Sequence, residues 1–109
     1  MRLGRLPWIN TAPVFAAMDR GVVSCGAEVV TATAAELNDL LAAGELDVSA
    51  VSAVEYARDA SLYHLLPNLA ISCDGPVHSV ALFSKRPVNE LDGATVLRTA
   101  SSRTSVLLL

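Results

Sequence analysis

The 109-residue sequence has few cysteines, few charged residues and few aromatic side chains. Its two cysteines, Cys25 and Cys73, are far apart and lack CxxC spacing, which argues against a disulfide framework or a thiolate metal site. We expect both to be buried free thiols, and a single disulfide between them is the alternative. Charged residues make up 17% of the chain and hydrophobic residues 52%. This composition suits strands buried on both faces of a sheet and argues against a disordered chain.

The chain also lacks an excess of positive charge. Its formal net charge is -3, and no predicted helix carries a stripe of lysine or arginine, so nucleic acid is not an expected partner. No run approaches the roughly 18 apolar residues of a membrane span. The opening residues, MRLGRLPWINTAPVF, contain no continuous apolar segment and no small-residue cleavage site. We therefore expect no signal peptide, no membrane partner and a cytoplasmic location.

Sequence motifs of metal and cofactor chemistry are absent as well. The sequence contains no GxGxxG, no phosphate loop and no GxSxG elbow. His64 and His78 have no histidine, cysteine or carboxylate at metal-ligand spacing. The sequence therefore predicts no metal and no cofactor.

Short apolar strands alternate with helices along the chain. This alternation predicts an α/β fold, a mostly parallel sheet with flanking helices. A short helical turn is predicted at 87–93. The predicted strands are 2–9, 27–32, 46–52, 68–75, 78–84 and 94–100.

The first predicted helix follows the first strand directly. Asn10 or Thr11 is expected to cap it, because asparagine and threonine side chains accept hydrogen bonds from the free N–H groups of a helix start. Pro13 is tolerated in the first turn, and Gly21 marks the end of the helix.

Two further helices begin with the pattern of a capping box. Thr33 and Glu36 open the second helix, TAAELNDLLAAG, which ends at Gly44. Ser52 and Glu55 open the third helix in the same way. The polar segment SSRTS then predicts the start of a last helix that continues into VLLL at 106–109.

Three predicted strand-to-helix junctions carry small hydrogen-bonding side chains. In an open α/β sheet, ligands bind outside the carboxyl ends of the strands, where helix amino termini present free N–H groups. If the junctions converge, they form a site for a small carboxylate, and the Arg103 guanidinium matches a carboxylate in shape. The alternative is ordinary helix capping or, for Arg103, simple exposure. The junction residues are Asn10, Thr11, Ser49, Ser52, Ser101, Ser102, Arg103 and Thr104.

The aromatic and acidic side chains are weaker candidates. We expect Trp8, Phe15 and Phe83 to lie in the core or in a pocket wall. Four acids near helix ends are expected to be caps or solvated side chains, and a general base among them is the alternative. These acids are Glu45, Asp47, Glu55 and Asp59.

Four segments in collinear order carry a family resemblance. They read RLGRLPWINTAP, LAAGELDVSAVSAVEYAR, ISCDGPVHSVALFSKRPVNELDG and TASSRTSVLLL. Together they resemble the chorismate dehydratase family of the futalosine route to menaquinone. The family that makes 1,4-dihydroxy-6-naphthoate in the same route is related and is the alternative. The opening segment and the DGPV, SV and LFSK phrases favour the dehydratase.

The resemblance implies a cytoplasmic lyase with the two-lobed fold of type II periplasmic binding proteins. Its reaction would be loss of water from chorismate, a dicarboxylate, to give 3-[(1-carboxyvinyl)oxy]benzoate. The resemblance implies that Asn10 is the catalytic residue and that Ser52 and residues 102–104 line a carboxylate pocket. It also implies that Ser72 and Gly75, near a crossover between lobes, contact substrate.

The resemblance further implies a division of the chain. Residues 1–84 are expected to form most of lobe one, and residues 85–109 the crossover and a truncated start of lobe two. Alone, such a chain is expected to be inactive or to need a second chain, and a homodimer or an exchanged assembly is one such partner. The alternative from another functional class is a module that binds a small carboxylate without converting it.

Overall fold

The computed structural model, which describes residues 1–107, contains one three-stranded sheet and four α-helices. Short 3-10 turns lie at Ile9–Thr11, Ala60–Leu62 and Val88–Glu90. The other regular elements in chain order are β1 (Arg2–Arg5), α1 (Ala12–Asp19), β2 (Glu28–Thr31), α2 (Ala34–Ala42), β3 (Val48–Ser49), α3 (Ala53–Arg58) and α4 (Arg103–Leu107). The predicted α/β class is confirmed at this level.

The first strand of the chain lies in the middle of the sheet. The strand order is β2-β1-β3, and both neighbours run parallel to β1. Gly4 is paired with Val30 on one side and with Ser49 on the other. Parallel strands need crossover connections, and here α1 joins β1 to β2 while α2 joins β2 to β3.

The core lies between α2 and one face of the sheet. Leu37 of α2 is fully buried, and it clusters with Leu6 and Leu46 from the chain next to β1 and β3. Successive residues of a strand point to opposite faces, so Gly4 and Val30 face α2. The partly buried residues packed against this cluster are Val30, Ala32, Ala34, Leu40 and Leu41.

The opposite face of the sheet is covered by α1. Phe15 is buried, as predicted, and the Arg5 guanidinium lies 4.8 Å from the centre of its ring. Arg5 also donates from both terminal nitrogens to the Asp19 carboxylate, at 2.6 and 2.8 Å. These hydrogen bonds lower the pKa of the Asp19 carboxyl and raise the pKa of Arg5. Helices therefore cover both faces, because the two crossovers run in opposite directions across the sheet.

The capping box of α2 forms as the sequence predicts. The Thr33 hydroxyl accepts from the Glu36 N–H at 3.4 Å, and a Glu36 carboxylate oxygen accepts from the Thr33 N–H at 2.8 Å. The hydrogen bonds from Thr33 lower the pKa of Glu36. Gly44, with φ of 73°, follows the end of the helix in a conformation that favours glycine.

Replacing Thr33 by alanine is expected to lower the free energy of unfolding by about 1 kcal/mol, because one helix N–H loses its acceptor. Urea denaturation of the protein that carries this chain measures the loss. Thr95→Ala is the control, since Thr95 is exposed and lies outside the helices and strands. Equal stability of the two variants would contradict the assigned cap.

The other two predicted caps form differently from the prediction. Thr11 precedes α1, but its φ of -89° and ψ of -10° are helical, whereas a capping side chain needs an extended backbone, so no cap hydrogen bond forms. At α3, the Ser52 hydroxyl accepts from the Glu55 N–H at 3.3 Å. The Glu55 carboxylate does not accept a hydrogen bond from the Ser52 N–H, because it contacts Arg103 and Tyr63 instead. Only half of that capping box is present.

Several predicted strands differ from the structure. The first strand ends at Arg5, before Pro7, which has no N–H for a strand ladder. The strands predicted at 68–75, 78–84 and 94–100 are wrong. The sheet offers these segments no pairing partner within residues 1–107, and an apolar run without a partner does not form a strand. The predicted turn at 87–93 is confirmed by the 3-10 turn at Val88–Glu90.

Four side chains that are expected to lie in the core or against a pocket wall, or to be buried, are exposed, and two of them lie within residues 63–102, which are mostly exposed. Phe83 is 92% exposed, and Trp8 is also exposed, so neither belongs to the core. Both cysteines are exposed, contrary to the expected burial, because each lies in an irregular segment outside the helices and strands. The radius of gyration, 16.7 Å, exceeds the roughly 13 Å of a compact chain of this length.

The last predicted helix is present as α4. It begins at Arg103, and residues 108 and 109 of the prediction lie outside the described part of the chain. No helix within residues 1–107 has the length and apolar character needed to cross a membrane.

Candidate functional site

The carboxyl ends of β1 and β3 are the place where the strand order reverses. One crossover leads from β1 to β2, and the next passes β1 to reach β3 on its other side. In open α/β sheets, a crevice for ligands lies outside the strands at such a point. Asn10 and Thr11 follow β1, whereas Ser49 and Ser52 end and follow β3. The structure therefore brings two of the three predicted junctions to adjacent strand ends.

The β1 junction presents Asn10 to solvent on a fixed turn. Asn10 is exposed in the 3-10 turn Ile9–Thr11, whereas Thr11 is buried. The Thr11 hydroxyl lies 3.0 Å from the Leu6 carbonyl oxygen and 2.8 Å from that of Trp8, and it donates its proton to these backbone groups. Thr11 thus holds the turn that carries Asn10, and the Asn10 amide faces outward.

The β3 junction depends on a close approach between two strands. A Cβ added to Gly4 would lie 2.3 Å from the Ser49 Oγ and 2.7 Å from its Cβ. Only glycine leaves room for Ser49 at that position. The Ser49 hydroxyl donates to the Ala50 carbonyl at 3.3 Å. Ser49 is half-buried where β3 ends, beside the β1 junction.

Behind this junction, Ser52 contacts a buried amide. The Ser52 Oγ lies 3.4 Å from the Asn38 Nδ2, which donates to it. Asn38 is 1% exposed, and within residues 1–107 its Oδ1 atom has no hydrogen-bond partner. A buried oxygen that is left without a partner costs about 1–3 kcal/mol of stability.

The third junction is linked to the second by an ion cluster around Arg103. Its guanidinium contacts Glu55 through Nη1 and Asp39 through Nη2, which ties α4 to α3 and α2. Glu55 also lies 3.6 Å from the Arg58 Nη1 and accepts from the Tyr63 hydroxyl at 3.3 Å. The hydrogen bond to Glu55 is the main cause that raises the pKa of Arg103. Burial, and then the charge of Glu55, raises the pKa of Tyr63.

Replacing Glu55 by glutamine is expected to lower the free energy of unfolding by about 2 kcal/mol, because hydrogen bonds to a charged group are lost from a buried position. Urea denaturation of the protein that carries this chain gives the value. The matched control is Glu90→Gln, an exposed residue in the 3-10 turn at Val88–Glu90, with an expected effect within about 0.5 kcal/mol. Equal effects would show that the cluster adds no stability.

The remaining predicted site residues fall into two groups. At the start of α4, the Ser102 Oγ accepts from the Ser105 N–H at 3.2 Å, and Thr104 is half-buried. Ser72 and Gly75 lie in an exposed segment without regular structure, where Gly75 has φ of 99°. No hydrogen bond among the described residues joins Ser72 or Gly75 to the strand ends. The structure thus places the β1 and β3 candidates at adjacent strand ends and ties α4 to α3 and α2 through Arg103, whereas it links Ser72 and Gly75 to none of them.

Sequence reasoning missed the contacts of Asn38, Asp39 and Tyr63. One signal for Asn38 was available, because its neighbours one helical turn away, Ala34 and Leu41, are apolar and an amide interrupts that stripe. No comparable signal marks Asp39 or Tyr63. Residues 1–107 bring no three histidine, cysteine or acidic side chains together in a possible metal site.

Comparison with known proteins shows similarity to one family and to a curated enzyme. A family model described as "Menaquinone biosynthesis" matches residues 1–109. A curated protein from Thermus thermophilus, named chorismate dehydratase, is 42% identical over 84 residues. These residues are 77% of this chain and 30% of that protein, so the chain spans about a third of the length of this relative. No solved structure matches the chain closely enough to count as similar.

Proposed function

Because the chain belongs to the menaquinone biosynthesis family, we propose that the protein carrying it removes water from chorismate and forms 3-[(1-carboxyvinyl)oxy]benzoate. The observation that carries this proposal is the 42% identity with the chorismate dehydratase of Thermus thermophilus. The geometry supports it, because chorismate has two carboxylates and two polar junctions lie at adjacent strand ends.

The β1 and β3 junctions would hold the substrate from two sides. The exposed Asn10 amide is available to a ring substituent, because Thr11 keeps its turn in place through backbone contacts. Ser49 and Ser52 at the end of β3 would bind one carboxylate, together with the free N–H groups of the chain after β3. Residues 102–104 would bind the second carboxylate, with Ser72 and Gly75 as further substrate contacts.

The reaction needs little chemical help from the protein. One ring C–H bond breaks, its electron pair becomes a ring double bond, and the hydroxyl leaves with the electrons of its C–O bond and takes up a proton as water. The ring becomes aromatic, which supplies much of the driving force. In this proposal, Asn10 donates a hydrogen bond to the departing hydroxyl, and the substrate's own enolpyruvyl carboxylate removes the proton.

We also propose that this α/β unit is part of a two-lobed fold like that of type II periplasmic binding proteins. Residues 1–84 would then form most of the first lobe, and residues 85–109 the crossover and the start of the second. The parallel order β2-β1-β3 is compatible with such a lobe. Asn10 is exposed in this chain, so the 109 residues alone would not exclude water from the reacting bond. We therefore expect them to be inactive without the second lobe. A cytoplasmic location fits a substrate of central metabolism.

Incubation with chorismate tests the proposed function. The protein that carries this chain should consume chorismate and release an equal amount of 3-[(1-carboxyvinyl)oxy]benzoate, measured by chromatography against a reaction without protein. Tight binding of chorismate without product would instead identify a carboxylate-binding module. If the protein neither binds chorismate nor forms product, both functions are overturned.

A further inference from the structure

The two arms of the Arg103 guanidinium contact carboxylates in different surroundings. The Glu55 side chain, which contacts Nη1, is 7% exposed, whereas the Asp39 side chain, which contacts Nη2, is 68% exposed. A buried carboxylate resists displacement, since it would be left unpaired in a dry position. An exposed ion pair is worth little and exchanges readily with other anions. Arg103 therefore has one fixed partner and one exchangeable partner.

The surface beside Arg103 suits an anion that carries an apolar ring. An open groove there is mostly apolar, and a second guanidinium, that of Arg58, lies on it. In the cluster, Glu55 and Asp39 balance the two arginines, so displacement of Asp39 leaves one unbalanced positive charge at the groove. The groove is lined by Val54, Arg58, Arg103, Val106 and Leu107.

We propose that Asp39 is an internal competitor for the carboxylate of the substrate. A ligand carboxylate takes the place of Asp39 on Nη2, while Glu55 keeps Nη1 and the guanidinium plane in position. Asp39 thereby sets the apparent affinity of the site. The inference rests on the proposed function for the identity of the substrate, chorismate, and on the contacts of Arg103 for the exchange itself.

Asp39→Asn tests the competition, because asparagine keeps the size of the side chain and removes its charge. The Kd of isophthalate, a ring dicarboxylate that does not react, is expected to fall roughly two- to five-fold, in line with the strength of exposed ion pairs. In turnover of chorismate, KM should fall by the same factor while kcat stays unchanged. If Asp39 has a purely structural role, Asp39→Asn changes the free energy of unfolding and leaves the Kd of isophthalate and the KM for chorismate unchanged.

Two further variants make the test specific. Asp92→Asn removes the charge of an exposed aspartate outside the cluster and should leave the Kd of isophthalate unchanged. In an Arg103→Gln background, Asp39→Asn should no longer tighten binding, and tightening that persists there would overturn the proposal. All variants are made in the protein that carries this chain, and isophthalate binding is measured by calorimetry.

The outcomes separate this inference from the proposed function. Equal or weaker isophthalate binding by Asp39→Asn, or no binding by any variant, overturns the inference even if chorismate is dehydrated. Tighter binding by Asp39→Asn without any turnover of chorismate by the parent protein supports the inference and rejects the proposed reaction.

Discussion

Replacing Asn10 by alanine is expected to lower kcat for chorismate dehydration about 100-fold, the loss typical of removing one hydrogen-bond donor aimed at developing charge. Asn10 is exposed on the turn between β1 and α1, so its amide is free to reach the hydroxyl that departs with its bonding electrons. KM should change little, because the proposed carboxylate contacts are at other residues. Steady-state kinetics on the protein that carries this chain measures both constants.

Asn89→Ala is the matched control for this variant. Asn89 is also an exposed asparagine in a 3-10 turn, at Val88–Glu90, and has no assigned role. Its kcat should equal that of the parent. Full turnover by Asn10→Ala with an unchanged urea denaturation curve would remove Asn10 from the mechanism, and Asn10→Asp would then be expected to be active as well.

Replacing Leu37 by alanine is expected to lower the free energy of unfolding by about 3 kcal/mol. Leu37 is 0% exposed and is the α2 residue at the centre of the cluster with Leu6 and Leu46. The change removes apolar contact area and leaves a cavity that the surrounding strands cannot fully close, since they are fixed by pairing on both sides of β1. Urea or thermal denaturation measures the loss.

Leu65→Ala provides the comparison, because Leu65 is 64% exposed and lies outside the helices and strands. Its expected effect is within about 0.5 kcal/mol. If both leucine variants lost the same stability, the cluster around Leu37 would not be the main core of the chain.

The parts of the fold that could be predicted are those fixed by residues close in sequence. The capping box of α2 needs only Thr33 and Glu36, three positions apart, and the end of that helix needs only Gly44. The three paired strands were also predicted, each with the helix that follows it. The predicted bounds of these strands are too wide, because the apolar composition continues beyond the last hydrogen bond between strands. The first strand, for example, ends at Arg5, before Pro7.

The parts that could not be predicted depend on distant partners. Segments 68–75 and 78–84 have the composition of strands, but a strand also needs a neighbour, and composition does not contain that information. The same holds for the site. Arg103 was expected to bind a carboxylate or to be exposed, whereas its carboxylates come from the same chain, 48 and 64 residues away at Glu55 and Asp39. No local pattern indicates such pairs.

The central position of β1 also constrains the order of events during synthesis. The ribosome releases β1 before either of its neighbours, because its hydrogen-bonding partners begin only at Glu28 and Val48. β1 therefore stays unpaired until β2 has left the exit tunnel, and its second edge stays unpaired until β3 follows. Chaperones that bind unpaired strands have their opportunity in that interval. Translation pauses placed before Ser49 would lengthen it and increase aggregation of the unfinished chain.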